Sequence, residues 1–128
     1  LNPNKPWISR PYIPIRLFCD ANHIDVYALI DSGADVPLFH SSIGKELGIN
    51  VGIGRKEQFF GISEDGIGVY FHKVKLQIKG FSEILELEVG FTDSKGVSAI
   101  LGQSGFFENY HIKFERDKER FEISPVKK

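Results

Sequence analysis

The sequence predicts a mainly β protein whose short strands form a closed or partly closed barrel, with one or two short helices. Three observations lead there. Runs rich in β-branched and aromatic residues recur along most of the chain. Small turn clusters such as Asp20-Ala21-Asn22-His23 separate them. Only IGKELGI, residues 43–49, reads as more than a turn of helix.

The elements follow in order. Residues 1–11 (LNPNKPWISRP) hold three prolines and little apolar periodicity, and are expected to be an extended arm. Residues 12–128 then form one domain. Tyr12–Cys19 and Ile24–Ile30 are expected as a hairpin turning at Asp20–His23. Val36–Phe39 is a further strand, and Ser41 or Ser42 is placed to cap a helix that stops near Gly48. In HKVKLQIKGFSEILELEVGF, a two-residue turn at Gly80-Phe81 sets Lys75 opposite Glu86 and Lys73 opposite Glu88. It also sets Leu76 opposite Leu85 and Val74 opposite Leu87. Opposite charges and apolar pairs fall into register together, which supports the pairing. Ala99–Leu101 is a short strand ending at Gly102, a brief helical turn is expected through Phe106-Phe107, and a last hairpin turns at Arg116–Glu119.

Composition narrows the function classes. The 128 residues are 41% hydrophobic and 26% charged, ordinary for a globular domain. A net charge of −1 gives no electrostatic case for nucleic acid or a membrane surface as partner. No apolar run approaches a membrane span, and no secretory leader is expected. The single cysteine, Cys19, cannot form an internal disulfide and suits a reducing compartment, so a cytoplasmic location is expected.

One stretch poses a chemical question. ALIDSGAD, residues 28–35, drives an aspartate into the end of an apolar strand. An ionised carboxylate in apolar surroundings is costly unless something holds it. Asp31-Ser32-Gly33 alone can be an ordinary turn. Its context is more specific: it follows Tyr27–Ile30, continues into Ala34-Asp35, and is matched about seventy residues on by Ile100-Leu101-Gly102. Other chemistries find less support. His23, His40, His72, His111 and Cys19 lack zinc spacing, so neither metal nor cofactor is expected. The glycines at 52, 54, 61, 66 and 68 complete no nucleotide-binding pattern, and Ser41 and Ser42 lack a nucleophile motif.

In these segments the chain resembles the retropepsin-like aspartyl proteases, the small bacterial ones in particular. ALIDSGAD is similar to their catalytic loop and AILGQSGFF to the segment that threads beside it. PYIPIRL and VYFHKVKL fall in the same order, and the likeness spans roughly residues 11–123. The resemblance implies hydrolysis of peptide bonds by two carboxylates sharing one proton. One activates water, while the other hydrogen-bonds the carbonyl. It assigns Asp31, Ser32 and Gly33 to catalysis, with Ser32 orienting the neighbouring loop. It assigns Ala34, Asp35, Gly61, Ile62, Gly66, Ile67 and Ile100 to peptide binding, with Phe60–Gly68 as a hairpin flap. The chain has one Asp-Ser-Gly, so a dyad requires a homodimer. The family's usual partner for Asp35 is an Arg just after Ile-Leu-Gly; here that position is Gln103. A non-catalytic dimerisation or peptide-binding module of the same fold is the alternative, and a monomer using a single carboxylate is a third.

Overall fold

The computed structural model describes residues 11–59, 66–115 and 120–126. All but Pro11 of the expected arm, the first six residues of the flap candidate (60–65) and the turn at 116–119 lie outside the described residues. Within them no helix is long and apolar enough to cross a membrane.

Strands β1 (Tyr12–Cys19) and β2 (Asn22–Ile30) pair antiparallel from Tyr12↔Leu29 to Cys19↔Asn22. The turn is therefore only Asp20-Ala21, tighter than expected, because Asn22 and His23 join the ladder. Asp20 makes this possible by adopting φ +52°, which aspartate tolerates better than most residues. Ile13, Ile15 and Leu17 point inward from β1. On the outer face Arg16 grips Asp25 through two hydrogen bonds of 2.7 and 3.0 Å, and Lys79 Nζ lies 3.0 Å from the same carboxylate.

After the Asp31 loop come β3 (Leu38–His40) and helix α1 (Ser41–Glu46). The strand begins later than expected, and neither serine caps the helix. His40 does so, its Nδ1 accepting from the Ser42 N–H at 3.2 Å. The Ser41 hydroxyl is buried and bonded to the Asp93 carboxylate. The helix ends at Leu47 before Gly48, as expected, and a 3-10 turn (Val51–Ile53) follows.

Strand β4 (Arg55–Phe59) had no sequence signal, because RKEQF is almost wholly exposed and shows no alternation. It pairs with the start of β5 (Ile67–Ile78), from Arg55↔Phe71 to Phe59↔Ile67. β5 then pairs with β6 (Ile84–Thr92) in the register the charges predict, including Lys73↔Glu88, Lys75↔Glu86 and Leu76↔Leu85. The turn differs. Pairing stops at Gln77↔Ile84, and the Phe81 N–H closes onto Ile78 O at 3.0 Å. Gly80 is the second of that turn's two central residues rather than the first, with φ +98°. Lys79 is drawn instead toward β1, its N–H bonding Pro14 O at 3.1 Å.

β7 (Ala99–Leu101) comes next, and β8 (Tyr110–Glu115) with β9 (Arg120–Pro125) forms a separate two-stranded sheet. Between β7 and β8 the expected helical turn is a series of tight turns, because Gly105 turns left-handed at φ +85°. One helical bond remains, Tyr110 N–H to Phe106 O at 2.8 Å, and it stacks the two rings.

The strand order β1-β2-β7-β3-β6-β5 closes on itself through β1–β5 pairing, giving a six-stranded barrel with β4 outside on the edge. β5 faces two cores. Val74, Leu76 and Ile78 point into the barrel with Ile15, Leu17, Val89 and Leu101. Ile67, Val69 and Phe71 have the opposite parity and pack on the other face against Leu38 and Val97, flanked by Val36, Phe59 and Ile100.

The hydrogen bonds from Arg16, then from Lys79, hold the Asp25 carboxyl well below the usual carboxylate range. A lowered folded value stabilises above the unfolded value of about 3.9, and that stabilisation is lost as pH falls through the folded range. The cluster is exposed, so the effect is small and salt-sensitive. Asp25→Asn should lower the melting temperature at neutral pH, with the gap from wild type closing in acid and in high salt; thermal melts across pH check this.

Candidate active site

The site is built where three strands end together. β7 lies between β2 and β3, parallel to the first (Leu29↔Ile100, Ile30↔Leu101) and antiparallel to the second (Leu38↔Ile100, Phe39↔Ala99). The chain leaving β2 at Ile30 must therefore cross over the end of β7 to return as β3. Residues 31–37 make that crossing. The Asp31 N–H continues the β2–β7 pairing by bonding Leu101 O at 2.8 Å, which places Asp31 at the rim.

The tail of β7 fastens the crossing from below. The N–H groups of Gln103 and Ser104 donate to the carbonyls of Ala34 and Asp35, both at 2.9 Å. The Gln103 side chain donates from Nε2 to Ser32 O at 2.8 Å. Within the loop the Ala34 N–H returns to Asp31 O at 3.1 Å. The contact is close enough to dictate a residue: a Cβ on Gly102 would sit 2.2 Å from Ala34 O. Hence the apolar-apolar-Gly pattern at 100–102, since two apolar residues hold the strand and a glycine lets the loop lie on its end.

This geometry answers the question posed by ALIDSGAD. Ile30 is buried, but Asp31 stands in the open, so its carboxylate escapes the desolvation cost. The Gly33 N–H donates to its Oδ1 at 2.9 Å. A Cβ on Gly33 would come 3.2 Å from that oxygen, so a side chain there would press on the carboxylate. Among the described residues no cation pairs with Asp31.

The other sequence-derived candidates divide. Ser32, Gly33, Ala34 and Asp35 share the loop with Asp31. Ser32 is engaged through its carbonyl rather than its hydroxyl among the described residues. Ile100 lies beneath the loop on β7, and Ile67, paired with Phe59 at the end of the β4–β5 ladder nearest its connection, joins it in the smaller apolar cluster. Gly66 precedes Ile67, and Gly61 and Ile62 lie outside the described residues. Asp35 has no cation among the described residues, and Gln103 turns to Ser32 rather than to it. Sequence reasoning marked Gln103 only as a departure from a pattern. Its part in the clamp had no sequence signal, since an exposed glutamine two residues after a strand is common.

The fold is that of the retropepsin-like aspartic proteases. The structure is similar to that of a retropepsin-like aspartic protease from Rickettsia conorii, with a TM-score of 0.63 and 12% identity over 90% of this chain and 89% of that one. It is also similar to the retroviral protease-like domain of Ddi1 from Leishmania major, with a TM-score of 0.56 and 14% identity over 94% and 97% of the two chains. EIAV protease in complex with the inhibitor HBY-793 aligns with a TM-score of 0.50 and 22% identity over 80% of this chain and 86% of that one. No family model and no curated protein sequence matches the chain.

Gly102→Ala should destabilise the protein by about 1–3 kcal/mol or more, because the new methyl meets backbone that cannot rotate away. Urea unfolding measures it. An unchanged midpoint would show that the loop does not rest on β7 as described.

Proposed function

We propose that the chain is an aspartic endopeptidase that works as a symmetric homodimer, with Asp31 of each subunit meeting on the two-fold axis. The observation that carries this reading is the placement of Asp31: an open carboxylate on a loop fastened to the end of β7. A carboxylate held this firmly, yet without a cation among the described residues, suits a group whose partner comes from outside the chain.

The chemistry runs as follows. Two carboxylates close together cannot both ionise cheaply, so the pair holds one proton. The ionised member takes a proton from a water lying between them and makes it nucleophilic. The protonated member hydrogen-bonds the peptide carbonyl as the oxygen gains charge. Water attacks the carbonyl carbon, the tetrahedral intermediate forms, and proton transfer to the nitrogen breaks the C–N bond. The mechanism needs neither metal nor cofactor. Gly33 keeps the carboxylate uncrowded and Ser32 orients the loop. The peptide lies across Ala34, Asp35 and Ile100, under a flap that includes Gly61, Ile62, Gly66 and Ile67. The β4–β5 hairpin supports this assignment, since its two strands lead into and out of that segment.

Asp31→Asn should lower peptide cleavage by at least about a thousandfold, with circular dichroism and sedimentation unchanged. Digestion of a proteome-derived peptide library by wild type and variant, alongside oligomeric state, tests this. A variant that still cuts would overturn the mechanism. A wild type that binds peptides and a tetrahedral-intermediate mimic without cutting would instead identify a binding module.

A further inference from the structure

We propose that Gln103 is a positioning residue for the Asp31 carboxylate, acting through the peptide unit between Ser32 and Gly33. The two ends of that one unit are held by different partners. Its oxygen, Ser32 O, accepts from Gln103 Nε2 at 2.8 Å, and its N–H, that of Gly33, donates to Asp31 Oδ1 at 2.9 Å. A peptide is a rigid plane, so a bond at each end fixes its rotation. The amide must present its NH2 group here, because its own oxygen would face another acceptor.

The tether has a purpose that the local sequence explains. A peptide preceding glycine rotates cheaply, since glycine accepts either sign of φ and brings no Cβ to clash. Ser32-Gly33 is thus the point in the loop where the backbone is easiest to turn, and it carries the N–H that orients Asp31. Gln103 is itself fixed, its own N–H bonding Ala34 O at 2.9 Å, so its side chain is a short, anchored strut. Donation to the carbonyl also polarises the peptide and strengthens what its N–H gives to the carboxylate. Gln103 therefore stands in the place of the expected arginine, with a different task.

The kinetic part of this inference rests on the protease reading; the structural part does not. The test compares the wild-type chain with Gln103→Met, which keeps length and loses the donor. Amide exchange of Gly33 by NMR should quicken roughly three- to tenfold, the worth of one hydrogen bond, while the melting temperature stays near wild type. On a peptide that the wild type cuts, kcat should fall by up to about tenfold with KM unchanged. Should Gln103→Met fold poorly, Gln103→Glu, which has no donor once ionised, must show the same two changes. Gly33 exchange that stays as in wild type, or an effect on KM alone, overturns the proposal. If the wild type cuts no peptide, the activity reading fails and Gly33 exchange alone decides this one.

Discussion

The close approach of the Asp31 loop to the end of β7 is the constraint on which the rest depends. Backbone lies against backbone at Ala34 and Gly102, with no side chain between them. Such a contact survives only when the polar groups on both sides are paired, and here the carbonyls of Ala34 and Asp35 are paired with the tail of β7. The loop inherits the rigidity of the barrel, although it lies on the surface. A side chain on a surface loop normally trades precision for access. This arrangement keeps both, because the crossing is short and is pinned along its length.

The barrel supplies the setting for that contact. Its ring is closed by β1 and β5, the first described strand and one from the middle of the chain. β7, from late in the sequence, then sits between β2 and β3, which are neighbours along the chain. Their order forces a crossing at one end of β7, and the aspartate falls at its start. The position of Asp31 is therefore a consequence of topology as much as of its neighbours.

Parts of this were legible in the amino acids and parts were not. The β5–β6 register could be read because Lys73, Lys75, Glu86 and Glu88 alternate with leucine and valine, so charge and burial specify one pairing. The pairing of Asp31-Ser32-Gly33 with Ile100-Leu101-Gly102 was visible because each carries a residue pattern the contact requires. β4 was not, since an edge strand with nearly every residue in solvent has no alternation to display. The helix cap was misassigned because serine is the common capping residue, whereas here the His40 ring accepts from the Ser42 N–H. The Gly80 turn was misplaced because β1 competes for Lys79, a long-range partner that no local pattern records. Gln103 stood out by its identity alone. What it does depends on a carbonyl seventy-one residues away.

The small apolar cluster outside the barrel has a mechanical consequence. Phe59 and Ile67 form the last pair of the β4–β5 ladder before its connection, Val36 lies in the Asp31 crossing and Ile100 beneath it; all four pack around Leu38, Val69, Phe71 and Val97. Tightly packed apolar groups resist independent displacement. Displacing that end of the hairpin must thus strain the same bed of side chains that cushions the carboxylate-bearing crossing, so that leverage at one is felt as stress at the other.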